Sequence, residues 1–217
     1  MLEVFPAETD THFQHVRELI AEYVAWDSSR TSELGLDVNE LLAFQYRQGD
    51  ESIPGDFTPP EGCLLLATHD GKVAGCGAVH KLTSDICEMK RVYVRPEFRG
   101  LGIGRQLASI LIATAREAGY RLMRLETVTF MEGAISLYTS LGFHTCEAYY
   151  VIPESFRQIT VFMELDLQEP ERSAAQQLDG ADPASRVFGF GAILVLAGRA
   201  AHLEAVRRPV EAEDPRV

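Results

Sequence analysis

The stretch Glu88-Met89-Lys90-Arg91-Val92-Tyr93-Val94-Arg95-Pro96-Glu97-Phe98-Arg99-Gly100-Leu101-Gly102-Ile103-Gly104 decides how this chain folds. Alternation from Glu88 to Val94 reads as a strand, and it places Glu88, Lys90 and Val92 on one face and Met89, Arg91 and Tyr93 on the other. Pro96 ends the strand because proline cannot donate to a ladder. After the glycines, Leu107, Ile110, Leu111, Ala115 and Ala118 recur on one helical face, which Gly119 closes. A strand, a glycine turn and a helix start gather backbone N–H groups at the positive end of the helix, which makes an anion site. Glycine admits backbone angles and close approaches that a side chain blocks. Arg91, Arg95, Arg99 and Arg105 bracket the turn, where a phosphorylated ligand needs them.

Upstream, an apolar strand from Cys63 to Thr68 meets Asp70-Gly71, a hairpin signal, and returns as Val73 to Leu82. With the Glu88 strand these form an antiparallel meander. A first strand spans Leu2 to Phe5, and Asp10 caps a helix with Val16, Leu19, Ile20 and Tyr23 on its apolar stripe. Asp27 to Leu34 reads as a polar break. Asp37 and Glu40 form a capping-box pattern for a second helix bearing Leu41, Leu42 and Phe44. Gln48 to Pro60 reads as a loop, a candidate substrate rim. Downstream, Leu122 to Val128 makes a strand parallel to the Glu88 strand. Ala134, Leu137, Tyr138 and Leu141 mark another helix closed by Gly142, and Phe143 to Tyr150 and Ile159 to Leu167 read as a final strand pair.

The expected architecture is thus α/β: a mixed sheet with helices on both faces over residues 1–168. Residues 169–217 read as a polar linker and a short apolar run, Val187 to Ala197, too short to span a bilayer as a helix. That run reads as a segment folding back on the domain or onto a second copy in a homodimer.

The 217 residues carry a formal net charge of −12, which disfavours a nucleic-acid partner. The N-terminus lacks the basic start and apolar run of a secretion signal, and Cys63, Cys76, Cys87 and Cys146 show no CxxC. A reduced, cytoplasmic protein is expected, with no membrane partner. His12, His15, His69, His80, His144 and His202 form no HxH or HExxH, so no metal is expected. His80, in a strand, could tune an acceptor amine. The glycine spacing misses G-x-G-x-x-G, and no Gly-Lys-Ser or Gly-Lys-Thr occurs, which disfavours a dinucleotide enzyme and a nucleotide hydrolase. No Ser–His–Asp grouping appears and neither Cys87 nor Cys146 has an activating neighbour, so any group transfer is expected to be direct rather than through a covalent enzyme intermediate. Tyr138 sits one place after the core stripe; a phenol near ~10 in pKa can protonate a leaving thiolate whose acid is near ~8.5.

Arg99-x-x-Gly102-x-Gly104, the approach Met89 to Pro96, and Leu137-Tyr138 with Leu141-Gly142-Phe143 together resemble the GCN5-related N-acetyltransferase (GNAT) family. The resemblance covers about Leu2 to Leu167 and is most specific from Glu88 to Phe143. It implies a mostly antiparallel twisted sheet whose central strand pair splays. It implies acetyl-CoA as acyl donor, with the backbone at Val92, Tyr93 and Val94 along the pantetheine arm and Arg99, Gly100, Leu101, Gly102, Ile103, Gly104 and Arg105 around the pyrophosphate. A backbone N–H near Val92 would polarise the thioester carbonyl, and Tyr138 would protonate the thiolate. Many family members place asparagine seven residues before that tyrosine; this chain has Met131 there.

Amine attack needs a base, and Glu88 occupies the region where family members often place one, with Glu126 on the next strand as its competitor. The acceptor expected is a primary amine on a small molecule or amino-acid derivative. A peptide or protein amine is the first alternative, and a non-catalytic acyl-CoA-binding or interaction module the second. The acids Asp27, Glu33, Asp37, Glu40, Asp50, Glu51 and Asp56 would steer cationic amines or simply solvate a helix and a loop.

Overall fold

A computed structural model describes residues 1–45 and 53–168. The Gln48–Pro60 loop is therefore seen only from Ile53, and the linker and apolar run of residues 169–217 lie outside the described residues. The elements are β1 (Leu2–Pro6), α1 (Asp10–Glu33), α2 (Val38–Gln45), β2 (Cys63–His69), β3 (Lys72–Lys81), β4 (Ile86–Val94), α3 (Ile103–Glu117), β5 (Leu122–Val128), α4 (Glu132–Ser140), β6 (His144–Thr145) and β7 (Thr160–Asp166). The seven strands form one sheet in the order β1-β2-β3-β4-β5-β7-β6. Only β4 and β5 pair in parallel; the other neighbours are antiparallel. The expected mixed sheet is present, with α1 on one face and α3 on the other.

Local chemistry accounts for the frame. Asp70 and Gly71 take φ of 50° and 75°, the two positive values that a tight two-residue hairpin needs, and join β2 to β3. Between the sheet and α3 lies a core built on Leu65, Leu107, Leu111, Met123 and Leu125. Val16, Leu19, Leu64, Leu66, Cys76 and Tyr93 form the core beneath α1.

Three expectations change. Helix α1 does not break at Asp27: it runs to Glu33, because Asp27 and Thr31, one turn apart, prolong the buried stripe at 2% and 1% exposure. Its N-cap is Thr9, whose side chain accepts from the His12 N–H, and Asp10 is the first helical residue. The last strand pair is shorter than expected, since β6 is only His144–Thr145. The chain after Cys146 leaves the sheet, and this carries Tyr149 and Tyr150 toward the acids of β4 and β5.

Candidate active site

Strands β4 and β5 pair only at Ile86↔Leu122, Cys87↔Met123 and Glu88↔Arg124, although both continue well beyond. Past Glu88 they separate, as the resemblance implied. A bulge lies in the open half of β4: Ala78 pairs Lys90 and Cys76 pairs Tyr93, so Gly77 faces both Arg91 and Val92. Arg91 takes φ of 58°, a left-handed value rare for a side-chain-bearing residue. The extra residue reverses the pleat, which corrects the alternation expected from sequence. Met89, Val92 and Val94 pack toward α3, whereas Tyr93 joins the core under α1. A Cβ at Gly77 would meet Leu111 Cδ1 at 3.0 Å and Val92 Cγ2 at 3.5 Å, so glycine lets the bulge seat against α3.

Beyond β4, a single 3-10 turn at Pro96–Phe98 leads into the glycines. Gly100 and Gly102 both have φ of 79°, with open space where a Cβ would stand, and Gly102 is the N-cap of α3. Among the described residues, no backbone N–H from Gly100 through Arg105 has a protein acceptor. Exposed donors of this kind, at the positive end of a 15-residue helix, suit an anion. A Cβ at Gly104 would lie 3.5 Å from Leu137 Cδ2 and 3.8 Å from Val94 Cγ2. The turn therefore adjoins both the open end of β4 and helix α4.

The four expected arginines do not act alike. Arg95 points away, its guanidinium on Glu22 at 2.7 Å and on the Val73 carbonyl at 2.8 Å. Arg99 donates to the Val94 carbonyl and Arg105 to Ser140 Oγ, with no carboxylate partner among the described residues. These two remain the cations beside the turn. Arg91 makes interactions of its own within the fold.

Tyr138 on α4 is 7% exposed, with its ring edge-on to Phe143 at 5.8 Å. Its phenol has no hydrogen-bond partner among the described residues, and burial pushes it up to about 12. Met131 caps α4 at the open end of β5, and the Thr127 hydroxyl lies 3.6 Å from its sulfur.

Across the opening stands a carboxylate cluster. The Glu88 side chain, 3% exposed, takes the Tyr149 phenol on Oε1 at 2.7 Å; on Oε2 it takes His80 Nε2 at 2.8 Å and Lys90 Nζ at 3.3 Å. Burial alone would raise the Glu88 carboxyl, but the His80 hydrogen bond, the Lys90 charge and the phenol outweigh it and hold it below the usual carboxylate range. Glu126 on β5 accepts from the Tyr150 phenol, and Lys90 Nζ stands 3.9 Å from its other oxygen. Burial, with Glu88 and Asp27 nearby, outweighs Lys90 and Arg91 and pushes Glu126 up to about 7.

The sequence pointed to Glu88, Glu126 and His80, and the structure gathers them. It missed Lys90, Tyr149 and Tyr150, and also Arg124, whose guanidinium lies 4.9 Å from the Tyr149 ring centre. Alternation marked Lys90 as Glu88's neighbour on one face, a signal that was available. Nothing local marked the tandem tyrosines, which looked like the end of a strand. Among the described residues no group of acidic, histidine or cysteine side chains is arranged to hold a metal, and no helix is long and apolar enough to cross a membrane.

Residues 22–143 match the model of the acetyltransferase (GNAT) family. An uncharacterized N-acetyltransferase of Schizosaccharomyces pombe is 38% identical over 62% of this chain and 78% of its own length. One from Escherichia coli is also 38% identical, over 40% of this chain and 54% of its own. Among solved structures, an acetyltransferase candidate from Salmonella typhimurium, determined with its cofactor acetyl-CoA, superposes with a TM-score of 0.54 at 23% identity. That superposition covers 78% of this chain and 96% of the other. With its splayed strand pair and glycine turn, the chain belongs to the acetyltransferase (GNAT) family and is an acyltransferase.

Proposed function

We propose that the protein transfers the acetyl group of acetyl-CoA directly to a primary amine, on a small molecule or an amino-acid derivative. The observation that carries this reading is the run of N–H groups from Gly100 to Arg105, without acceptors among the described residues, beside the open half of β4. A diphosphate fits donors of that number, with Arg99 and Arg105 adding charge. The pantetheine arm then runs along Val92, Tyr93 and Val94, where β4 has lost β5 as a neighbour. Met131 supplies apolar packing in place of an amide. Acetyl-CoA brings an activated acyl group, and binding it beside the amine makes attack effectively intramolecular.

Tyr138 supplies the proton that the departing thiolate needs. A phenol at about 12 yields its proton only as negative charge develops on sulfur, so it stays protonated until carbon–sulfur cleavage. A covalent acyl-cysteine is disfavoured: burial raises all four thiols, Cys76 and Cys87 to about 12, and leaves little thiolate. All four cysteines are free, as suits the cytoplasm. The low exposure of Glu88 and Glu126, 3% and 14%, favours a slender acceptor over a bulky folded one.

The test is a screen of primary amines for acetyl-CoA-dependent thiol release, with acetyl-CoA binding followed by calorimetry. Release with at least one small amine is expected. Tight acetyl-CoA binding without release for any amine or peptide would leave a binding module instead.

A further inference from the structure

We infer that Glu126, rather than Glu88, takes the proton from the acceptor's ammonium, and that Glu88 is a positioning residue that holds Lys90 beside it. This rests on the transferase reading above and adds its proton path. The two carboxylates differ in what their oxygens already do. Both Glu88 oxygens are occupied: Oε1 by Tyr149, Oε2 by His80 and Lys90. Glu126 lies past Glu88↔Arg124, the last β4–β5 pair, in the open half of the strands. Tyr150 occupies its Oε2, whereas Oε1 accepts no hydrogen bond among the described residues. The cation nearest Oε1, Lys90 Nζ, is 3.9 Å away, beyond hydrogen-bond reach. Among the described residues, an ammonium entering the opening finds on Glu126 an oxygen that accepts no hydrogen bond, and on Glu88 only oxygens that already accept one or more.

Proton affinity agrees with this geometry. Glu126 is faced by Lys90, Glu88 and Arg91 from β4, by Asp27 and Tyr23 from α1, and by Tyr149 and Tyr150 from the segment after β6. Burial leads, and the sum leaves the carboxyl at about 7, half ionised at neutral pH, where a general base works best. Glu88, held low, binds a proton weakly.

The step balances. The ammonium's N–H bond breaks and its proton bonds to Glu126 Oε1, leaving a neutral amine and a carboxylic acid. Nitrogen bonds to the acyl carbon and the carbon–sulfur bond breaks. Tyr138 gives its proton to sulfur and is restored by the second proton leaving nitrogen. Glu126 returns the first proton to water. Ammonium and thioester become amide, thiol and one released proton.

The experiment uses the full chain, acetyl-CoA and whichever primary amine gives the fastest thiol release in the screen, comparing wild type, Glu126→Gln, Glu88→Gln and Tyr150→Phe. Wild-type kcat should show an acid limb centred at about pH 7. Glu126→Gln should lose that limb and about 100-fold in kcat at pH 8, with its fold checked by circular dichroism. Glu88→Gln should keep the limb. Tyr150→Phe should move it upward, since the carboxylate loses a donor; a merely structural role would not shift a pH profile. Carbon-13 titration of labelled glutamates in the ligand-free protein should show one carboxyl near pH 7, absent from Glu126→Gln. The assignment is overturned by a limb that persists in Glu126→Gln and vanishes in Glu88→Gln, or by glutamates that all titrate below about pH 5.5. Absence of thiol release with every amine sinks the transferase reading instead.

Discussion

The two halves of the β4–β5 pair make different use of the same pair of strands. In the closed half, from Ile86 to Glu88 and Leu122 to Arg124, the ladder is complete, and Cys87 and Met123 are fully buried. In the open half pairing stops after Glu88, a bulge against β3 adds a residue to β4 at Arg91, and Lys90 and Glu126 face each other across the opening. The closed half spends its backbone groups on the sheet and its side chains on the core. The open half keeps backbone groups and the Glu126 carboxylate available, and it bears a left-handed Arg91 as the local cost. Chemistry collects where pairing stops, because a completed ladder offers no donors or acceptors to a ligand.

That contrast is sharpest under truncation. Met123→Ala in the closed half should cost about 2–5 kcal/mol in stability, read by denaturant unfolding, through lost burial and a cavity. If stability is unchanged, the buried side chains of the closed half do not hold the strand pair together. On the open side, Tyr138→Phe should lower kcat by about 100-fold, with the KM for acetyl-CoA changed less than threefold, about 0.6 kcal/mol. Its phenol has no hydrogen-bond partner among the described residues, so the fold should barely notice; equal losses in kcat and unfolding midpoint would assign Tyr138 to the core alone.

Glu88, at the last closed pair, and Glu126, beyond it, should respond oppositely to pH. Glu88 is held low in the folded state, so it contributes stability above its unfolded pKa, and this is lost as pH falls through the folded value. Glu126 is raised to about 7, so the folded state keeps a proton that the unfolded chain releases near ~4.3; its influence makes stability fall as pH rises from there to about 7. Glu126→Gln should therefore stabilise the protein at pH 8 by about 1–3 kcal/mol, with little gain at pH 4, measured by urea midpoints. A uniform shift at both pH values would break the distinction. The smallest effect expected is at the glycine turn. Gly102→Ala puts a side chain at φ of 79°, costing about 1 kcal/mol, and should weaken acetyl-CoA binding by about fivefold in calorimetry.

Much of this was legible in the residues, and the failures are physical. Asp70-Gly71 announced its hairpin because only such residues take two positive φ angles cheaply. The polar residues Asp27 and Thr31 looked like a break, yet they lie in the middle of a buried helix face, where burial overrides composition. The faces of Lys90 to Tyr93 were assigned by strict alternation, which a bulge reverses without leaving a mark in the residues. Glu88 and Glu126 were both visible as acids in strands. What separated them was the set of partners: Tyr149 and His80 for one, Tyr150 for the other.

Sequence alone therefore determined the glycine turn and the order of the main elements, because these depend on backbone angles and short-range periodicity, and its motifs carried the resemblance to the family. Only the tertiary structure decided which oxygen is vacant, which arginine turns away and where the strands part. Those outcomes depend on residues far apart in the chain, such as Glu126 with Tyr150 and Arg95 with Glu22, and no local pattern encodes their distances.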